Sequence, residues 1–155
     1  MRVRPLALLV WCLVGTVAGS GPAASPPWAT AVLEDGSAFT LEIAESEAAR
    51  ARGYMERAQV GPKEGMLFVF QESGWHSFWM KNCRVPLDIL WLDGSFRVVH
   101  VAAAQPPCPA DGPCPSIVPM RPASYALEFA SGTARAHGLR PGSRVDVLRP
   151  DGTPW

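Results

Sequence analysis

Three polar residues interrupt two long apolar runs near the middle of the chain, and their chemistry makes them the first candidates for a functional site. Lys81, Asn82 and Asp88 lie within the stretch from Phe78 to Asp93, whose other residues are mostly large and apolar. Charged and amide groups set among core-forming residues must be paired or hydrogen-bonded, because burying them alone costs several kcal/mol. The cluster is therefore predicted either to tie the fold together or to line a site.

Each polar side chain of this stretch has a structural and a functional interpretation. Lys81 either pairs with Asp88 or Glu128 within the fold, or offers an ammonium group that binds an anion. Asn82 suits the left-handed conformation of a turn. Asp88 is either a carboxylate that accepts hydrogen bonds from loop N–H groups or a general base with a raised pKa. Trp79 beside them predicts either a core aromatic or a platform for a ligand such as a sugar ring.

Two arginines extend the candidate site. Arg52 and Arg57 flank the turn at residues 53–55 and are interpreted either as surface residues or as a fork that binds phosphate or carboxylate. No catalytic residue is assigned, because the chain contains no G-x-S-x-G, P-loop, Rossmann glycine or metal-ligand motif. The ligand-binding candidates are Trp79, Lys81, Asn82, Asp88, Arg52, Arg57 and Glu128.

The cysteines indicate a disulfide rather than a metal centre. Cys108 and Cys114 bracket a turn-rich segment, and outside the cytoplasm such a pair predicts a local disulfide. The alternative is a metal site shared with Cys83, His76 or His100, but zinc sites usually use the tighter C-x₂₋₄-C spacing. We therefore expect no metal and no cofactor. Cys83 is then the odd thiol, interpreted as a small core residue rather than a nucleophile.

The N-terminus has the pattern of a secretory leader. Arg2 and Arg4 precede an uncharged, mainly apolar run from Leu6 to Ala18, and small residues follow. This predicts a signal peptide over residues 1–24 and a flexible lead-in over residues 25–29. Cleavage of the signal peptide would remove Cys12. The run is shorter than the roughly 20 residues of a transmembrane helix, so we expect no stable membrane span after cleavage. The predicted location is extracytoplasmic, periplasmic or secreted; an uncleaved N-terminal anchor is the alternative.

Composition limits the partners and the fold class. The chain has 14 basic and 14 acidic residues, and loss of Arg2 and Arg4 with the leader would leave 12 against 14. Domains that bind nucleic acid usually carry a basic stripe, so no nucleic-acid partner is expected. A chain of 155 residues predicts one domain, assigned to residues 30–150. The 16 prolines and 14 glycines favour a β-rich fold over a helical bundle.

Local patterns predict short strands and two short helices. Ser46 is a good N-cap for a helix that Gly53 ends, and Ser131 or Thr133 is predicted to cap a second helix that Gly138 ends. We predict a mainly β fold, an antiparallel β-sandwich or squashed barrel of about seven to eight short strands with two short helices. The predicted strands cover residues 30–33, 38–43, 66–70, 77–81, 87–93, 96–102, 125–129 and 143–148.

Several blocks of the sequence resemble an uncharacterised bacterial and archaeal family, domain of unknown function 192. The chain departs from the family pattern at Cys83, where threonine is usual, and at Tyr54, where leucine is usual. The resemblance implies a β-sandwich-like domain, often behind a signal peptide, and implies no known activity. The matching blocks are residues 52–57, 64–70, 78–93, 125–129, 132–134 and 138–142.

The residues and the leader together predict a secreted or periplasmic β-domain without enzymatic activity. It would bind an unidentified small molecule or protein at a polar site around Lys81, Asn82 and Asp88. One alternative is a hydrolase-like enzyme that uses Asp88 or Glu128 as its acid–base group and Lys81 to stabilise an anion. The other is a purely structural or interaction module.

Overall fold

One curled β-sheet of seven strands organises the protein. The computed structural model describes residues 28–155, so the predicted signal peptide and most of the predicted lead-in lie outside the described residues. The predicted mainly β fold with two short helices is confirmed. No helix in this part of the chain is long and apolar enough to cross a membrane. In chain order the elements are β1 (Trp28–Leu33), β2 (Ala38–Ala44), α1 (Glu47–Arg52), β3 (Glu64–Gly74), β4 (Leu87–Leu92), β5 (Val98–Gln105), β6 (Ala123–Ala130), α2 (Thr133–Ala136) and β7 (Val145–Leu148).

The strand order brings segments that are distant in sequence into contact. Across the sheet the order is β5-β4-β6-β3-β2-β1-β7. All neighbouring pairs are antiparallel except β2 and β3, which are parallel. A parallel pair needs a crossover connection, which here runs through residues 45–63 and contains α1. The crossover places α1 and the turn after it over one face of the sheet.

The chain segments that lead into the two edge strands, β5 and β7, are bridged, and the sheet curls into a half-barrel. Arg97 and Arg144 form an isolated bridge, and the Val98 N–H donates to the Ser143 carbonyl at 2.8 Å. Residues that face the inside of the curl form one apolar core, to which α2 contributes Ala134. Other core members include Phe39, Leu41, Leu67, Leu90, Leu92, Leu127, Phe129, Val145 and Val147.

A second apolar cluster lies on the outer face of the sheet. It is covered by α1, by the segment 75–86 and by the proline-rich loop 106–122, and its buried members include Tyr54, Phe68, Met80, Ile89, Trp91 and Ala126. Successive side chains of a strand point to opposite faces of the sheet, so neighbouring residues of each central strand pack into opposite clusters. The covering segments are irregular, and the candidate site lies beneath them.

Helix α1 has the ends that its sequence predicts. The Ser46 side chain accepts a hydrogen bond from the Ala49 N–H at 3.1 Å, and the Gly53 N–H donates to the Ala49 carbonyl at 3.0 Å. Gly53 has a φ of +46°, a conformation that favours glycine. Helix α2 differs from prediction, because its N-cap is Gly132 and no side chain caps it.

The predicted strand at residues 77–81 is wrong, and the prolines opposite it explain why. Phe78 forms a single antiparallel bridge with Ile117, with both backbone hydrogen bonds present at 2.9 and 2.7 Å. The next hydrogen-bonded pairs would place residues 80 and 76 opposite Pro115 and Pro119. Proline has no N–H to donate, so the ladder cannot extend in either direction.

The turn between β4 and β5 is longer than its Asp93-Gly94 sequence predicts. The Asp93 carboxylate accepts hydrogen bonds from the N–H groups of Ser95 and Arg97 at 2.8 and 3.0 Å. Phe96 has a φ of +56°, which places it in the turn. Strand β5 therefore begins at Val98 rather than at Phe96.

Candidate functional site

Asp88 lies on the inner face of the sheet, away from the other predicted site residues. It is fully buried, and its two carboxylate oxygens accept hydrogen bonds from the N–H groups of Ala104 and Ala134, each at 2.7 Å. It pairs with Phe129 across the β4–β6 register. Asp88 thus joins β4 to the end of β5 and to α2, and both of its oxygens are occupied.

Lys81 and Asn82 form an exposed turn at the other side of the sheet. Asn82 has a φ of +56°, and its carbonyl accepts a hydrogen bond from the Glu56 N–H at 2.8 Å. The Lys81 ammonium lies 5.1 Å from the centre of the Trp79 ring. Among the ion pairs of residues 28–155, none involves Lys81. The structure therefore does not bring Lys81 to Asp88.

The two predicted arginines have different environments. The guanidinium of Arg57 donates to both carboxylate oxygens of Glu42 and lies 4.8 Å from the centre of the Tyr54 ring. Because Arg57 is engaged within the fold, it is not free to form the predicted fork with Arg52. Arg52 is exposed in the last turn of α1 and lines a cavity.

Glu128 lies on the outer face of the sheet, beneath α1. The cross-strand register aligns it with Met66 on one side and Ile89 on the other, and it is only 4% exposed. Gly53 approaches it closely. A Cβ atom at Gly53 would lie 3.2 Å from Glu128 Oε2 and 3.3 Å from Phe68 Cζ. The glycine that ends α1 therefore also makes room for a buried carboxyl group.

A cavity of about 280 Å³ opens beside this carboxyl group and is termed the Glu128 cavity. The cavity lies between two parts of the covering layer. On one side are α1 and the turn after it, and on the other is the segment 75–83. Five aromatic side chains supply much of its wall, and α1 supplies its charged groups. The lining residues are Glu47, Arg50, Ala51, Arg52, Gly53, Tyr54, Met55, Phe68, Phe70, Ser77, Phe78, Trp79, Cys83 and Glu128.

Two residues of this cavity carry polar atoms with no partner. In the part of the chain that the structure describes, the buried side-chain oxygens without a hydrogen bond are Glu128 Oε2 and Tyr54 Oη. Buried polar groups are normally hydrogen-bonded, so an orphan calls for an explanation. Both oxygens belong to residues that line the Glu128 cavity.

Burial raises the pKa of three groups that line the cavity. Desolvation raises the pKa of Glu128 to about 8, although the nearby Tyr54 N–H and the charge of Arg57 act in the opposite direction. Desolvation and, to a smaller extent, the charge of Glu42 raise the pKa of Tyr54. Desolvation, followed by the charge of Glu128, raises the pKa of Cys83 to about 11. At neutral pH the cavity therefore presents an uncharged carboxylic acid, a phenol and a thiol.

The family of the chain follows from a match that spans nearly all of this fold. The family model of domain of unknown function 192 (DUF192), described as "Uncharacterized ACR", matches residues 30–147. The chain belongs to this family. The matched range contains β2 to β6, both helices, most of β1 and β7, and every residue of the Glu128 cavity. The predicted resemblance is thereby confirmed. No functionally curated protein matches the chain.

Two solved structures are similar to this DUF192 domain. One is described as a "putative transcription regulator" from Sinorhizobium meliloti 1021. It is 28% identical, with a TM-score of 0.70, and the match covers 82% of this chain and 98% of that one. The other is a protein of unknown function from Novosphingobium aromaticivorans DSM 12444. It is 29% identical, with a TM-score of 0.66, and the match covers 83% and 99% of the two chains.

A second cavity of the DUF192 domain, about 490 Å³ in volume, contains its three described cysteines and is termed the sulfur cavity. The Sγ atoms of Cys108 and Cys114 lie 2.03 Å apart, the distance of a disulfide bond, as predicted, and Cys83 is a free thiol. Trp79 and Cys83 line both cavities. The sulfur cavity is lined by Glu56, Trp79, Lys81, Asn82, Cys83, Arg84, Cys108, Pro109, Ala110, Gly112 and Cys114.

The predicted site residues of the DUF192 domain are thus divided among four places. Arg52, Trp79 and Glu128 line the Glu128 cavity, whereas Lys81 and Asn82 line the sulfur cavity with Trp79. Asp88 lies in the inner core, and Arg57 pairs with Glu42. In residues 28–155 no three His, Cys, Asp or Glu side chains are grouped so that they could hold a metal ion.

Sequence reasoning missed the role of Gly53 and Tyr54 at this site. It interpreted Gly53 only as the end of a helix, and Tyr54 only as a departure from the family pattern. A usable signal was present, because glycine is the residue that permits a close approach of the backbone to another group. The approach to Glu128, 75 residues along the chain, became visible only in the structure.

Proposed function

We propose that this protein is an extracytoplasmic binding domain whose ligand occupies the Glu128 cavity. The observation that carries the proposal is that the unpartnered buried oxygens of the described residues, Glu128 Oε2 and Tyr54 Oη, belong to residues of one cavity. An unmade buried hydrogen bond costs about 1–3 kcal/mol, so a ligand that supplies a partner recovers that free energy on binding. The carboxyl group at Glu128, rather than the turn at Lys81, is then the polar centre of the site.

The shape and chemistry of the cavity define the class of ligand. Its volume of about 280 Å³ lies near the lower end of the range of about 300–1,000 Å³ typical of small-molecule sites, so the ligand is small. Phe68, Phe78 and Trp79 favour an apolar body. At neutral pH the uncharged Glu128 donates its O–H, so the ligand offers an acceptor oxygen such as a carbonyl or carboxylate. Arg52 at the mouth favours a negative charge there.

Two features support the extracytoplasmic location. The leader pattern over residues 1–24 is that of a secretory signal peptide. Disulfides persist outside the cytoplasm and are rare within it, and the Cys108–Cys114 pair lies at disulfide distance. The hydrolase alternative has less support for either acid. Both oxygens of the buried Asp88 already accept backbone hydrogen bonds, and Lys81 lines a different cavity from Glu128.

The proposal is tested by a ligand panel at two pH values. Thermal shift followed by calorimetry would compare small apolar carboxylates, neutral carbonyl compounds and alkylamines at pH 6 and pH 9.5. We expect the acceptor compounds to bind at pH 6 and to lose about tenfold or more in affinity at pH 9.5, where Glu128 is ionised. Preferential binding of the amines at high pH would contradict the assigned hydrogen-bond polarity.

Variants at Glu128 separate hydrogen bonding from charge. Glu128→Gln keeps a neutral donor of the same size, so binding should persist and its pH dependence should disappear. Glu128→Leu removes the donor and should abolish binding. Lys81→Ala, on the sulfur cavity alone, is the matched control and should bind as the parent does. If Lys81→Ala abolished binding and Glu128→Leu did not, the site would lie at the turn instead.

A further inference from the structure

The free thiol of Cys83 lies next to the disulfide of Cys108 and Cys114. The Met80 carbonyl accepts hydrogen bonds from the Cys83 N–H at 3.3 Å and from the Cys108 N–H at 3.2 Å. One oxygen atom therefore holds the backbones of both cysteines. Cys83 and Cys108 also pack against the same outer-face cluster, and all three cysteines line the sulfur cavity.

We propose that Cys83, Cys108 and Cys114 form an internal thiol–disulfide exchange site. In this reaction the Cys83 thiolate attacks Sγ of Cys108, and a Cys83–Cys108 bond forms as the Cys108–Cys114 bond breaks. Cys114 leaves as a thiolate and takes up the proton that Cys83 released. One disulfide and one thiol are present before and after, so the step needs no oxidant and no reductant.

The charges around the sulfur cavity determine how fast this exchange runs. Attack requires the thiolate, and burial together with the nearby Glu128 raises the pKa of Cys83 to about 11. Lys81 and Arg84 line the cavity and favour the departing thiolate, although Arg84 also pairs with Glu56 at 2.8 Å. The exchange is therefore slow at neutral pH. As long as the pH lies below the pKa of Cys83, the exchange rate rises about tenfold for each unit by which the pH is raised.

The exchange would change which segments over the outer face the disulfide bond joins. The Cys108–Cys114 bond closes a short loop within residues 106–122, whereas a Cys83–Cys108 bond would join that loop to the segment 75–86. These segments cover the outer face, and Cys83 also lines the Glu128 cavity. The Cys83–Cys108 disulfide would thus fix the wall of that cavity. The exchange itself does not depend on any ligand there.

The experiment asks whether Cys83 and Cys108 can pair when Cys114 is absent. In Cys114→Ser, a glutathione redox buffer should produce an intramolecular bond, seen by intact mass as a loss of two hydrogens without a glutathione adduct. In the parent protein, incubation at pH 9, an acid quench and maleimide labelling should place part of the label on Cys114. The control Cys83→Ser should take up no label on Cys108 or Cys114.

Peptide mapping decides between the outcomes. A Cys83–Cys108 peptide in Cys114→Ser, or label on Cys114 in the parent, supports the exchange. Glutathione adducts in Cys114→Ser, together with label confined to Cys83 in the parent at pH 7 and pH 9, would overturn it. The parent measurement needs no substitution, so the test stands even if Cys114→Ser folds poorly.

Discussion

Asp88 and Glu128 are both buried acidic side chains, and the hydrogen bonds available to each determine what it can do. Asp88 accepts one backbone N–H at each oxygen, from Ala104 and Ala134. It therefore has a structural role in joining α2 and β5 to β4. Glu128 has an oxygen without a partner beside a cavity. Burial raises the pKa of Glu128 by more than the Tyr54 N–H and the charge of Arg57 lower it, so the group is an uncharged acid at neutral pH.

Replacement of Asp88 tests its structural role. In the parent protein, each Asp88 oxygen accepts a hydrogen bond from a backbone N–H. In Asp88→Asn, the amide NH₂ group would face one of these two N–H groups, and two donors cannot pair. We expect the free energy of unfolding to fall by about 2–4 kcal/mol, because a buried donor loses its partner. Urea denaturation measures this change. Asp111→Asn, an exposed acid in the disulfide loop, is the control and should stay within about 0.5 kcal/mol. A stable Asp88→Asn protein with altered ligand binding would instead place Asp88 in the site.

The raised pKa of Glu128 predicts how stability depends on pH. The unfolded chain releases this proton near its ordinary pKa of 4.5 and the folded protein near 8, so the folded state holds the proton more tightly between these values. The Glu128 contribution is therefore fully present below pH 4.5 and is lost as pH rises toward 8, by roughly 5 kcal/mol in total.

Denaturation of Glu128→Gln between pH 4.5 and 9 measures this contribution. The variant should lack the decline, so that it becomes more stable than the parent at pH 9. Glu47→Gln, an exposed glutamate of the same cavity, should keep the pH dependence of the parent. Parallel pH profiles for the parent and Glu128→Gln would mean that Glu128 titrates normally in the folded state.

At the scale of elements, helix α1 and the glycine that ends it shape the site. Gly53→Ala would force an alanine into a φ of +46° and bring its Cβ within 3.2 Å of Glu128 Oε2. We expect a loss of about 1–3 kcal/mol in the free energy of unfolding. Gly138→Ala is the matched control, since Gly138 has a φ of +63° and open space around its Cβ position. Equal losses in the two variants would show that backbone conformation alone accounts for the effect.

Local sequence signals predicted the elements whose causes are local. The β1–β2 hairpin and α1 depend on neighbouring residues, and both appear as predicted, including the cap at Ser46. The segment 77–81 was mispredicted, because its pairing is limited by Pro115 and Pro119, more than thirty residues away. The placement of Glu128 was out of reach for the same reason. The fold brings Gly53 close to Glu128, and no short-range pattern links the two.

Across the whole molecule, the two faces of the sheet differ in how completely they are filled. The inner face is enclosed by the curl and by α2, and it forms the larger continuous core. The outer face is covered by one short helix and two irregular segments, which leave both cavities open between them. A ligand that binds there favours the folded state in proportion to its concentration, so binding should raise the melting temperature of the whole domain.

Cleavage of the leader and formation of the disulfide are testable together on the full-length chain. The four cysteines make the number of alkylated thiols diagnostic, because Cys12 lies in the predicted leader and Cys83 is free. After expression with export in a bacterial host and alkylation without reduction, intact mass should show a chain shortened by about 20–24 residues with one label. Reduction before alkylation is the control and should give three labels.

A chain that keeps its leader as an uncleaved anchor would carry two labels before reduction and four after it. A cleaved chain with three labels before reduction would mean that Cys108 and Cys114 remain thiols, which would remove the disulfide argument for an extracytoplasmic location.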